Sequence, residues 1–103
     1  MYNGNDIDLI IQQFVSLIST EFPVKYLYLF GSYAKGEQNA DSDIDIAVIS
    51  DNFVGSRFLD REKLAKYIIK ASHDLEIHPF RTEDFTSENP FVEEIMKTGR
   101  KII

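Results

Sequence analysis

The chain has 103 residues, 44% of them hydrophobic, with 17 acidic against 11 basic side chains for a net charge of −6, three prolines and no cysteine. Without thiols there is no disulfide framework, no thiolate metal site and no thiol nucleophile, and the acidic balance argues against gripping duplex nucleic acid by phosphate neutralisation. No apolar run approaches the roughly 18 residues of a membrane span, and the N-terminus lacks a basic flank and an apolar core. The chain therefore reads as one soluble, cytoplasmic domain over residues 1–103.

From Asp6 to Phe22, apolar residues recur at Ile7, Ile10, Ile11, Phe14, Val15, Leu17, Ile18 and Phe22, the stripe of an amphipathic helix. Asn5 or Asp6 is placed to cap it and Pro23 to stop it. Val24 to Phe30 is a short β-branched and aromatic run, suited to a strand buried on both faces, and it leads directly into Gly31-Ser32. Asp43 to Ile49 predicts a second strand: Ile44, Ile46 and Val48 face one way, Asp43, Asp45, Ala47 and Ile49 the other. Arg57 to Ser72 predicts a second helix, with Phe58, Leu64, Ala65, Ile68 and Ile69 inward and Lys63, Lys66 and Lys70 in water. Leu75 to Ile77 alternates again before His78-Pro79 closes or edges the strand, and Thr82 to Phe85 reads as a capped helical turn. Asn89-Pro90 opens a final helix with Phe91, Ile95 and Met96 inward and Gly99 just past its end. The order α, β, β, α, β, α implies a small α+β sheet with helices packed on one side.

The chemistry is concentrated between Gly31 and Ile49. Two aspartates at i and i+2 of a strand share a face with α-carbons about 7 Å apart, near enough for both to reach one divalent cation or a pair of them. Asp is depleted from strands and adjacent carboxylates repel, so without a cation the sheet gains nothing from them. On their own they could equally be a solvated strand end, with Ser42 a turn residue. A buried strand that ends in Gly31-Ser32 and turns into a short helical segment adds backbone N–H groups and a hydroxyl suited to phosphate oxygens. Gly31 allows close approach, Lys35 is the nearest cation, and Gly36 permits the exit turn. Together they place a phosphate cradle beside a carboxylate pair at adjacent strand ends.

Gly31-Ser32-Tyr33-Ala34-Lys35-Gly36 with Ser42-Asp43-Ile44-Asp45-Ile46-Ala47-Val48 resembles the signature of the DNA polymerase beta-like nucleotidyltransferase superfamily, and in so short a chain its minimal nucleotidyltransferase branch. The resemblance implies a palm-like nucleotidyltransferase fold and transfer of a nucleoside monophosphate, AMP from ATP, to a hydroxyl. On these residues, it implies that Gly31 and Ser32, with Lys35 and Ser42, hold the nucleotide, and that Asp43, Asp45 and a third carboxylate bind Mg²⁺ or Mn²⁺ and carry catalysis. By position the third is Glu76, where the commoner pattern has Asp; Asp74 shares its face. His78 alternates onto the Glu76 face, either touching the metal shell or acceptor or simply marking the strand end. Such proteins often pair with a separate helical HEPN protein as antitoxin and toxin, so a missing second lobe predicts such a partner, with homo-oligomers also possible. The alternative is a binding module that neutralises a HEPN ribonuclease by occlusion.

Overall fold

Alternation along three strands decides the architecture. In the computed structural model, which describes residues 2–103, the strands are β1 (Tyr26–Phe30), β2 (Ile44–Ile49) and β3 (Leu75–Phe80). Leu27 and Leu29, then Ile44, Ile46 and Val48, then Leu75 and Ile77 turn to one face and join one buried cluster. Two helices cover that face, α1 (Gly4–Ile18) through Ile7, Ile11, Phe14 and Ile18, and α3 (Arg57–Ala71) through Leu64. A four-residue helix, α2 (Ser32–Lys35), follows β1, and α4 (Pro90–Thr98) is followed by a two-residue strand, β4 (Arg100–Lys101).

The sheet is mixed, in the order β3-β2-β1-β4. β1 runs antiparallel to β2 and β4, whereas β2 and β3 are parallel, with α3 as the crossover between them. β3 lies at the edge, which explains why it continues through His78 and Pro79 to Phe80 instead of closing at Ile77: proline's missing N–H is tolerated where no further strand must be paired. The α+β class and the mixed sheet agree with the sequence reading. The helices, however, lie on both faces. Ala47, Ile49, Tyr28, Phe30 and Phe80 make the second face apolar as well, and α4 covers it with Val92 and Ile95, joined by Phe85.

Three local differences have physical causes. α1 starts earlier than expected because Asn3 caps it, in a reciprocal box with Asp6: each side chain accepts from the other's backbone N–H. In α3 the fully buried residues are Leu64 and, unexpectedly, Asp60, while Phe58 is 75% and Ile69 66% exposed and Ala65 also lies at the surface. Asp60 turns inward because its carboxylate accepts from Val54 N and Gly55 N at 2.9 and 3.0 Å, closing the loop ahead of the helix. In α4 it is Val92 and Ile95 that are buried, not Phe91 or Met96. Among the described residues no helix is long and apolar enough to cross a membrane.

Candidate functional site

The site is assembled at the end of the sheet where β1 finishes and β2 and β3 begin. Antiparallel pairing sets Phe30 beside Asp45, and parallel pairing sets Asp45 beside Glu76. A row across three strands therefore runs from the residue before Gly31, through Asp45, to Glu76. Asp43 lies just outside β2 and is exposed; the neighbouring Ile44 N–H donates to Asp74 O at 2.7 Å.

Gly31 is required twice over. Its φ of 71° is left-handed, and a Cβ on it would lie 2.5 Å from Asp45 Oδ2, so any side chain would displace that carboxylate. α2 begins directly after it, with no side chain capping its first turn, which leaves leading amides available to an anion. At the other end Gly36, with φ 72°, takes the left-handed exit conformation and its N–H donates to Ser32 O. Lys35 stands 4.0 Å from Glu94. Ser42 Oγ accepts from Asn39 N at 2.9 Å, so its hydroxyl shapes the turn that delivers the chain into β2.

Asp45 keeps 26% of its side chain exposed and has one neighbouring ring nitrogen, His78 Nε2, at 3.5 Å from Oδ1. His78 is buried, its ring 4.9 Å from Phe30 and 5.6 Å from Phe91 with both contacts edge-on. A cleft of about 350 Å³ runs beside it, lined by Arg57, Phe80, Asn89 and Phe91. Glu76 faces Arg61 at 3.4 Å and Arg57 at 3.8 Å. Asp74, in contrast, accepts from Tyr2 OH, and that bond is the main reason the Tyr2 hydroxyl is held above its ordinary value of 10.0. Tyr2 N donates to Tyr33 OH at 3.2 Å, tying the N-terminus to the helical turn behind Ser32. A larger, mainly apolar groove of about 610 Å³ lies on α3, lined by Phe58, Ala65 and Ile68 and by the same Arg57 and Arg61 that face Glu76.

Among the described residues no three or more His, Cys, Asp or Glu side chains are gathered as a metal site. The donor chemistry of Asp43 and Asp45 nevertheless fits Mg²⁺, which usually takes one or two protein carboxylates and completes its shell with water and substrate phosphates. Sequence reasoning missed Arg57, Arg61 and the Tyr2 tie. The i, i+4 spacing of the two arginines was the available signal for the first; nothing in the sequence marks the second.

Comparison with known proteins bears on the family and the fold. The family profile described as a nucleotidyltransferase domain matches residues 11–102. A protein of Methanocaldococcus jannaschii, provisionally named a protein adenylyltransferase, is 36% identical over 66 residues, which span 64% of this chain and 66% of that relative. Among solved structures, a toxin–antitoxin with AMP-PNP superposes with a TM-score of 0.65 at 23% identity, covering 89% of this chain and 71% of that one. A structure provisionally described as a nucleotidyltransferase from Sulfolobus solfataricus gives 0.59 at 20% identity, covering 97% and 87%. At these identities the structures show a shared fold.

Proposed function

Because the chain belongs to the nucleotidyltransferase domain family, we propose that it transfers AMP from ATP to a hydroxyl on a separate helical partner of the HEPN type, as the antitoxin of a toxin–antitoxin pair. The observation that carries this reading is the pairing of Asp45 with Glu76 across β2 and β3 beside Gly31, where the carboxylate of Asp45 occupies the space a side chain at position 31 would fill. Support also comes from the relative named as a protein adenylyltransferase and from the neighbour whose structure is a toxin–antitoxin with AMP-PNP.

In this reading Gly31 lets the backbone approach the β- and γ-phosphates and Ser32 donates to them, with Lys35 and Ser42 at the margins. Asp43, Asp45 and Glu76 would hold Mg²⁺ or Mn²⁺, which neutralises charge on the triphosphate when bound. The acceptor oxygen forms a bond to the α-phosphorus as the bond from that phosphorus to the bridging oxygen breaks. Pyrophosphate leaves, and the acceptor's proton passes to Glu76, which must first turn from Arg57 and Arg61. The reaction is cytoplasmic, and residues 1–103 act as one domain.

The test is transfer of label from α-labelled ATP to the partner in Mg²⁺. The parent chain transfers it; Asp43→Asn and Asp45→Asn variants do not, and equal labelling by all three would end the proposal. One observation favours a second reading: Glu76 is engaged by two arginines, as expected if the catalytic face were vestigial and the chain silenced its partner by occlusion. Full protection of co-expressing cells by the Asp43→Asn, Asp45→Asn double variant would select that reading.

A further inference from the structure

We infer that His78 is a positioning residue for Asp45, holding its carboxylate in the orientation that receives the cation of the proposed transfer reaction. The role rests on that reaction and adds to it a residue that touches neither phosphate nor acceptor.

Three observations meet at this ring. His78 is only 8% exposed, and parallel register places it opposite Ala47, two residues beyond the Asp45–Glu76 pair on the same face. Its Nε2 lies 3.5 Å from Asp45 Oδ1 while its Nδ1 is buried without a hydrogen-bond partner among the described residues. In the Nε2–H tautomer the ring donates toward the carboxylate and leaves a lone pair at Nδ1. Phe30 and Phe91 stand edge-on against the ring, so its plane is fixed by packing on β1 and α4, not by a second hydrogen bond. A leucine or phenylalanine would fill this apolar slot without stranding a buried nitrogen, an arrangement that is ordinarily unfavourable. The imidazole's compensating feature is its donor toward Asp45. Against the other oxygen, the missing side chain of Gly31 leaves the space that Oδ2 occupies, 2.5 Å from where a Cβ would stand. Asp45 is thus held between a backbone that admits it and a ring that aims it, the arrangement by which outer groups orient metal-binding carboxylates.

The test is Mn²⁺ binding to the full chain in the presence of AMP-PNP, read by calorimetry, together with thermal melting of each variant. His78→Phe keeps the aromatic packing and removes the donor; His78→Gln keeps a donor nitrogen at similar reach. We expect His78→Phe to weaken Mn²⁺ about 10–100-fold and His78→Gln to recover most of the loss. Parent-like Mn²⁺ affinity in a folded His78→Phe would overturn the role, as would a folded His78→Gln that binds as poorly as His78→Phe does. Should His78→Phe not fold, the His78→Gln arm decides: near-parent affinity supports the role and a loss of tenfold or more refutes it. A parent chain that binds no Mn²⁺ with the analogue would overturn the transfer reading itself, a result distinct from any difference among variants.

Discussion

Asp60, at the junction between the 53–56 loop and α3, and Asp45, at the open end of the sheet, are both aspartates drawn in from the surface, and they are held in opposite ways. Asp60 is fully buried and both its oxygens accept backbone N–H groups, from Val54 and Gly55. Asp45 keeps a quarter of its side chain in water, faces a glycine where any side chain would collide with it, and has one ring nitrogen at long hydrogen-bond distance. The first carboxylate is satisfied by the fold. The second has acceptor capacity left over at the end of a buried strand, as the proposed cation-binding role requires.

Substitution at the two positions should therefore separate activity from stability. The largest effect is expected at Asp45: Asp45→Asn lowers AMP transfer about 10²–10³-fold while its melting temperature stays near that of the parent. Parallel loss of both would place Asp45 with Asp60 as a structural group. Asp60→Ala should do the reverse, because it takes the shared charged acceptor from the Val54 and Gly55 N–H groups and empties a fully buried position. A loss of about 2–5 kcal/mol in urea unfolding is expected, with transfer per folded molecule retained.

Gly31→Ala sharpens the contrast from the other side. The positive-φ backbone, of a kind essentially confined to glycine, costs an alanine about 1–3 kcal/mol, and the new Cβ presses on Asp45 Oδ2, so stability and transfer fall together. Loss of stability alone would mean that the position of Asp45 does not matter. The smallest effect concerns Asp84, whose carboxyl is held below its ordinary 3.8 by hydrogen bonds from Arg81. A depressed folded value stabilises above the ordinary value, and that contribution disappears as pH falls through the folded one. Urea midpoints measured down an acid series should thus decline less steeply in Asp84→Asn than in the parent, and identical slopes would remove Asp84 from the account.

How much of this was legible depends on the kind of interaction. Strict alternation in Asp43 to Ile49 and Leu75 to Ile77 was enough to sort core from site, because a strand offers only two faces; Ile44, Ile46, Leu75 and Ile77 went to the core and Asp45 and Glu76 to the other side. On α3, Leu64 and Ile68 pack on the core as the periodicity implied, whereas Phe58, Ala65 and Ile69 stay in water because hydrogen bonds from the Val54 and Gly55 amides just ahead of the helix turn Asp60 inward. β4 escaped notice because two charged residues carry no pattern; backbone pairing with Tyr28 and Leu29 creates it. Its approach depends on Gly99, where a Cβ would lie 2.5 Å from Ile95 O and 3.0 Å from Leu29 O. The i, i+4 spacing put Arg57 and Arg61 on one helix face, but their pairing with Glu76 was illegible for a related reason, since they meet it only once α3 has crossed back over the sheet.

The central claim is that the Asp45 end of the sheet is built to take a polyphosphate together with a cation. Calorimetry of ATP binding to the chain, in Mg²⁺ and again in EDTA, tests it without needing the acceptor. Clustered carboxylates repel an unaccompanied triphosphate, so binding should be measurable in Mg²⁺ and lost in EDTA; equal affinity in the two buffers would contradict the account.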